Sequence, residues 1–116
     1  MLPPLADCEH SRGKVEMYVI VWEFIVRPER VRDFVAAYKS DGAWAHLFSQ
    51  AEGYLGTELL SDSEEAARFL TIDRWKAAED FTRFQERFGT EYRRLDTQLK
   101  GLTISERQLG TFVSAD

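Results

Sequence analysis

From Tyr18 to Val26 the chain alternates two apolar faces, with Tyr18, Ile20, Trp22, Phe24 and Val26 on one side and Val19, Val21, Glu23 and Ile25 on the other. Aromatic and β-branched residues at period two predict a strand with both faces mostly buried. Beyond it the period lengthens. Pro28 is pre-set for a first helical position, Glu29 follows in the first turn, and Val31, Phe34, Val35 and Tyr38 fall at i, i+3, i+4 and i+7, the stripe of an amphipathic helix. Asp41-Gly42 interrupts the stripe, Trp44, Leu47 and Phe48 resume it, and Glu52-Gly53 closes it. The spacing therefore predicts a bent helix or two short ones, with the bend as a pocket wall.

Two more strand-like runs follow, residues 53–62 and 67–75, joined by the polar linker Ser63-Glu64-Glu65-Ala66, and read as a hairpin. Phe81, Phe84, Phe88, Tyr92, Leu95 and Leu99 then recur at steps of three and four, predicting a second amphipathic helix with a kink at Gly89. Residues 102–112 form a last strand whose apolar parity shifts between Ile104 and Leu109, which marks a bulge or an edge position. The order β-α-β-β-α-β is that of the α+β, ferredoxin-like split βαβ fold: a four-stranded antiparallel sheet with helices on one face. Because the first strand is apolar on both sides, its open face needs cover, and a homodimer joined through that face is expected.

Composition narrows the class. The 116 residues, 44% hydrophobic and 30% charged, suit a single domain with one core. Residues 1–16, with Pro3, Pro4 and Gly13 and no apolar period, read as a leader before a domain over residues 17–116, with Met17 as an alternative start. Fifteen Lys and Arg against 20 Asp and Glu give a net charge of -5, which argues against nucleic acid and anionic lipid as partners. No apolar run approaches the roughly 20 residues of a membrane span. The N-terminal residues lack the pattern of a secretory signal, so a cytoplasmic protein is expected. One cysteine, Cys8, and two histidines, His10 and His46, supply neither an internal disulfide nor a Cys/His zinc site, and no metal is expected. His46 lies roughly 160° around the helix from Trp44 and reads as a surface residue. Gly53-x-x-Gly56 enters a strand rather than a helix, so nucleotide binding has no support.

Candidate chemistry is concentrated on the strands. Glu23, Glu58, Asp73 and Glu106 each interrupt an apolar strand and must meet water, an arginine or a pocket, with Arg68, Arg74 and Arg107 as strand-borne partners. A carboxylate facing a pocket could act as general base on a phenolic hydroxyl, its pKa raised by apolar walls, whereas one outside it would form solvated or interfacial ion pairs. Tyr18, Trp22, Phe24, Trp44, Phe48 and Tyr54 suit either a site for a flat hydrophobic ligand or an aromatic core.

The opening strand with Pro28, the turn Gly53-Tyr-Leu-Gly-Thr-Glu58, and Leu70-Thr-Ile-Asp-Arg-Trp75 leading to Phe81 together resemble the antibiotic biosynthesis monooxygenase family of dimeric α/β barrels, over roughly residues 17 to 112. The resemblance implies a homodimer of ferredoxin-like subunits, each with an apolar pocket between sheet and helices. It implies activities that include cofactor-independent oxidation of quinols and polyketide aromatics, and heme degradation. It places Trp75 beside the pocket, where it would stack on or shape a ligand, although the same residue could simply fill the junction of the third strand and second helix. Under this resemblance Trp22, Trp44, Phe48, Thr71 and Tyr92 bind substrate, and Glu23 or Asp73 joins Trp75 in catalysis by managing protons. The implied function is a monooxygenase acting without a cofactor on a planar phenolic or quinol-type aromatic. The alternatives are a non-catalytic dimer that binds a small hydrophobic or aromatic molecule, and heme binding. Two departures bear on these alternatives. Thr71 stands where one branch has Asn, and residues 88–92 lack the His that ligates iron in the heme-degrading branch, leaving Tyr92 as a phenolate ligand or a core residue.

Overall fold

The apolar alternation of residues 18–26 puts that segment at the centre of the sheet, where both edges are paired and both faces can be covered. The computed structural model describes residues 17–115, so the expected leader at residues 1–16 lies outside the described residues. β1 (Tyr18–Val26) is followed by a 3-10 turn at Pro28–Arg30, α1 (Val31–Tyr38), α2 (Ala43–Phe48), β2 (Tyr54–Ser61) and β3 (Arg68–Trp75). Then come α3 (Ala78–Arg87), α4 (Gly89–Leu99), a second 3-10 turn at Lys100–Leu102 and β4 (Thr103–Val113). All pairings are antiparallel, in the order β2-β3-β1-β4, which is the ferredoxin-like arrangement the element order predicts.

Both amphipathic runs are broken helices. The first ends where the Lys39 N–H donates to Val35 O, and α2 restarts after Gly42; the second breaks at Phe88. Their apolar residues meet the even-numbered face of β1 and the odd-numbered face of β3. Phe34 packs on Phe24 and Phe69 with ring centroids 5.3 and 5.1 Å apart, and Phe84 lies 5.6 Å from Trp75. Ile20, Phe24, Val26, Phe34, Phe69, Trp75 and Phe84 are buried in this layer.

The opposite face carries Val19, Val21, Glu23 and Ile25 of β1 in register with Arg74, Ile72, Leu70 and Arg68 of β3. Its charges are paired: Glu23 receives Arg68 at 2.7 Å and Arg107 at 3.1 Å, and Glu58 receives Arg74 at 3.2 Å. These arginines hold the Glu23 carboxyl below its usual range, the Arg68 hydrogen bond contributing most. The β2–β3 turn is tied by Asp62, whose carboxylate accepts the N–H groups of Glu64 and Glu65 and one Arg68 guanidinium N–H.

The two edge strands break the alternation. In β2 the partner of Trp75 is Tyr54 and that of Arg74 is Gly56, so Leu55 is skipped. Gly56 has φ 141°, a value glycine tolerates and other residues rarely adopt. In β4 the register shifts at Leu109 and again at Ile104, which matches the parity change in the sequence; the strand is also an edge. Among the described residues, no helix is long and apolar enough to cross a membrane.

The join between α1 and α2 supplies a test. A Cβ at Gly42 would lie 2.6 and 2.7 Å from the carbonyl oxygens of Ala36 and Ala37, backbone atoms that cannot swing aside. Gly42→Ala is expected to destabilise the fold by about 1–3 kcal/mol, the usual cost of overpacking. Urea denaturation would read this as a lower midpoint with an unchanged slope.

Candidate functional site

The helix-facing side of the central strands is apolar except at Thr71 and Asp73 of β3. The register places Trp22 opposite Thr71, and Asp73 between Ile20 and Thr57. Above this part of the sheet, the helices leave a cavity of about 180 Å³. Its walls are Trp22 and Phe24 from β1, Tyr38 from α1, Trp44 and Phe48 from α2, and Tyr92 from α4. Thr57, Thr71, Asp73, Asp96 and Glu106 supply its polar surface. The expected break in the first helix is thus part of the wall, because Tyr38 of α1 and Trp44 of α2 both line the cavity, their rings tilted across the break at 6.2 Å.

Asp73 is the buried carboxylate of the cavity, 9% exposed, beside the buried hydroxyl residue Thr71. Thr57 donates its hydroxyl proton to Oδ1 at 2.7 Å. The Tyr54 hydroxyl lies 2.5 Å from Thr57 Oγ1. Since the Thr57 proton is committed to Asp73, Tyr54 must donate, and the three groups form a directed chain from phenol to hydroxyl to carboxylate. Burial pushes the Asp73 carboxyl up to about 6, only partly offset by the Thr57 hydrogen bond. This is the range in which a carboxylate can act as a base near neutral pH.

The phenols resist ionisation. Burial raises the Tyr92 hydroxyl, and the charges of Asp96, Asp73 and Glu106 raise it further. Tyr38 is raised well above its ordinary range by burial, with the neighbouring Trp44 indole N–H offsetting part of the rise. That N–H is buried and makes no hydrogen bond of good geometry. Tyr92 packs on Trp44 at 5.0 Å and Phe84 at 6.2 Å, so its ring belongs to the wall of the cavity. Raising the phenol disfavours the phenolate that iron ligation requires.

Of the residues singled out from sequence, Trp22, Trp44, Phe48, Thr71, Asp73 and Tyr92 come together around this space. Trp75 and Glu23 do not. Trp75 is 0% exposed and packed among Phe48, Tyr54, Phe81 and Phe84 at 5.3 to 5.7 Å, which makes it the filler of the β3–α3 junction instead of a stacking platform. Glu23 points to the opposite sheet face, where two arginines neutralise it. His46 is exposed. Sequence reasoning passed over Thr57, Tyr38 and Asp96 as site residues. Tyr38 could have been found as the last member of the first helical stripe; Thr57 depends on the skipped Leu55, and Asp96 sits on the polar side of its helix without any distinguishing signal.

Residues 17–93 match the family described as antibiotic biosynthesis monooxygenase. Among solved structures, a mutant of SnoaB, a cofactor-independent oxygenase from Streptomyces nogalater, is similar with TM-score 0.67 and 20% identity over 86% of this chain and 94% of that one. A protein from Nitrosomonas europaea assigned to the antibiotic biosynthesis monooxygenases is similar with TM-score 0.67 and 14% identity over 88% and 93% of the two chains. At these identities the likeness establishes the fold. No curated protein matches the sequence.

Burying Asp73 has a measurable sign. Because its folded pKa lies above the unfolded value of about 4, the fold holds the proton more tightly than the unfolded chain does. Stability from this group is therefore full below pH 4 and falls as pH rises through about 6. Asp73→Asn, which keeps an acceptor for Thr57, is expected to be more stable than the parent at pH 8 by up to about 3 kcal/mol. In urea titrations the gap should close as pH approaches 4; a less stable variant at pH 8 would contradict the assignment.

Proposed function

The chain belongs to the antibiotic biosynthesis monooxygenase family, and from that premise we propose that its cavity holds a phenolic or quinol-type ring for oxidation by dioxygen without a cofactor. The observation that carries this reading is Asp73, a carboxyl raised to about 6 at the floor of an aromatic cavity and linked through Thr57 to Tyr54. The description of SnoaB as a cofactor-independent oxygenase supports the same chemistry.

In this mechanism Asp73 takes the proton from a ring hydroxyl. The resulting phenolate, held among apolar walls, passes one electron to dioxygen, and the aryloxyl radical and superoxide combine at a ring carbon. Loss of water from the hydroperoxide leaves a hydroxyquinone. One oxygen atom enters the ring, the other leaves as water with two hydrogens from the quinol, and the quinol itself supplies every electron. Trp22, Trp44 and Phe48 orient the ring, Thr71 offers a hydroxyl from β3, and Tyr92 closes the space as a neutral phenol.

Oxygen uptake by purified protein with a panel of quinols and dihydroxynaphthalenes is expected to exceed that of denatured protein. Its kcat/KM should rise with pH through a midpoint near 6. Asp73→Asn is expected to lower the rate by about 10²–10⁴-fold, the range for loss of a general base, whereas Trp75→Phe should change stability more than rate. Equal rates for Asp73→Asn and parent would remove Asp73 from the mechanism. A flat trace for the parent across the panel would leave a small-molecule binding protein in place of an enzyme.

We also propose that two copies join through the open sheet face. Val19, Val21, Leu70 and Ile72 are only half-buried there, and Leu60 and Phe112 are 39% and 54% exposed. Apolar side chains at this density across a sheet face favour cover by a second protein surface. Light scattering at micromolar concentration should give twice the 13.4 kDa chain mass, and Ile72→Lys, at the centre of the face, should return the single-chain value. A parent protein at 13.4 kDa would defeat the proposal.

A further inference from the structure

The charges around the cavity have one sign. Asp73 lies at its floor, nine-tenths buried, and takes its hydrogen bond from Thr57 through Oδ1 alone among the described residues. Asp96 of α4 and Glu106 of β4 also line it and are exposed to solvent, so they stand at its mouth. None of the lining residues is Lys, Arg or His. Glu106 is held in place by the Thr103 hydroxyl, which donates to Oε2 at 2.9 Å. Its orientation is set by the skipped Leu109: if Leu109 paired with Trp22 in regular register, Arg107 would stand opposite Phe24 on the cavity face and Glu106 would turn away.

The arginines follow the opposite pattern. Arg68, Arg74 and Arg107 are all spent on carboxylates of the other sheet face. A cavity with aromatic walls and uncompensated carboxylates attracts an organic cation and repels an anion, because ring faces and carboxylates both present negative charge. Size adds a limit. A cavity of roughly 150 Å³ accepts benzene, so the 180 Å³ here encloses one aromatic ring and leaves a substituent to reach the mouth.

We infer that the ligand of this cavity is a one-ring phenol carrying a protonated amine, with the ring between Trp22 and Trp44 and the ammonium between Asp96 and Glu106. The inference rests on the reading of this space as a phenol-binding site and adds the ligand class. The ammonium has a physical role in that chemistry. A phenolate formed once Asp73 has taken the proton still faces the carboxylates of Asp96 and Glu106, and a positive charge on the same molecule offsets their repulsion.

The test is a binding titration with three probes of similar shape: tyramine, 4-ethylphenol and 3-(4-hydroxyphenyl)propionate, read by quenching of tryptophan fluorescence at pH 7. Tyramine is expected to bind about tenfold more tightly than 4-ethylphenol, with the propionate weakest. This advantage should fall below about threefold in Asp96→Asn/Glu106→Gln and in half-molar salt, and remain in Glu29→Gln, a change on an exposed turn outside the cavity. The single variant Asp96→Asn, at an exposed helix position, should show part of the loss if the double variant folds poorly. Equal affinity for tyramine and 4-ethylphenol, a preference unchanged by both salt and Asp96→Asn, or no binding of any probe would overturn the inference. These monophenols are read by binding and not by turnover. Ammonium preference without oxygen uptake on the corresponding aminoethyl catechol leaves the ligand class standing and removes the oxygenase; uptake on neutral quinols without ammonium preference does the reverse.

Discussion

A pleated sheet can send only alternate residues to the face that packs on helices, and the chemistry of this protein depends on how that limit is met and broken. The central pair keeps it strictly: Ile20, Trp22 and Phe24 of β1 stand opposite Asp73, Thr71 and Phe69 of β3 on one face. The edges do not. Skipping Leu55 lets Tyr54 and Thr57, three positions apart, share the helix side, and without that slip the hydrogen bonds from Tyr54 through Thr57 to Asp73 could not form. Skipping Leu109 puts Glu106 into the cavity and Arg107 beside Glu23. Two single-residue irregularities thus decide which charged groups a ligand would meet.

Much of the architecture could be read from the chain because it rests on strong periodicity. The strict alternation of residues 18–26 and the three-and-four spacing from Phe81 to Leu99 are direct consequences of which side must leave water. The breaks at Asp41-Gly42 and near Gly89 are legible for the same reason, since turn residues there interrupt an otherwise continuous stripe. The site is less legible. Asp73 stands out as a carboxylate inside an apolar run, but so does Glu23, and only the register says that one faces the helices and the other faces two arginines. Trp75 has the composition of a ligand platform and the surroundings of a core residue, a difference that lies in its neighbours and leaves no mark in the sequence.

The strand carboxylates reach different solutions to one problem, the cost of removing charge from water. Glu23 and Glu58 are neutralised by arginines across the open face. Asp73 receives a hydroxyl instead, which satisfies one oxygen without cancelling the charge, so its acidity moves upward. A residue chosen for stability alone would be neutral here. The tension between a comfortable core and a reactive group is common where structure has been shaped for ligand chemistry.

The hydrogen-bonded chain also has a direction across the molecule. Tyr54 belongs to β2 and Glu106 to β4, the opposite edges of the sheet order β2-β3-β1-β4. Asp73, on β3 between them, takes the Thr57 hydroxyl from one edge and shares the cavity with Glu106 from the other. The two sides of Asp73 therefore differ in kind: the β2 side supplies hydroxyls that donate towards it, and the β4 side supplies a second carboxylate. A change in either edge strand would therefore reach the same carboxyl from opposite sides, one through hydrogen bonding and the other through charge.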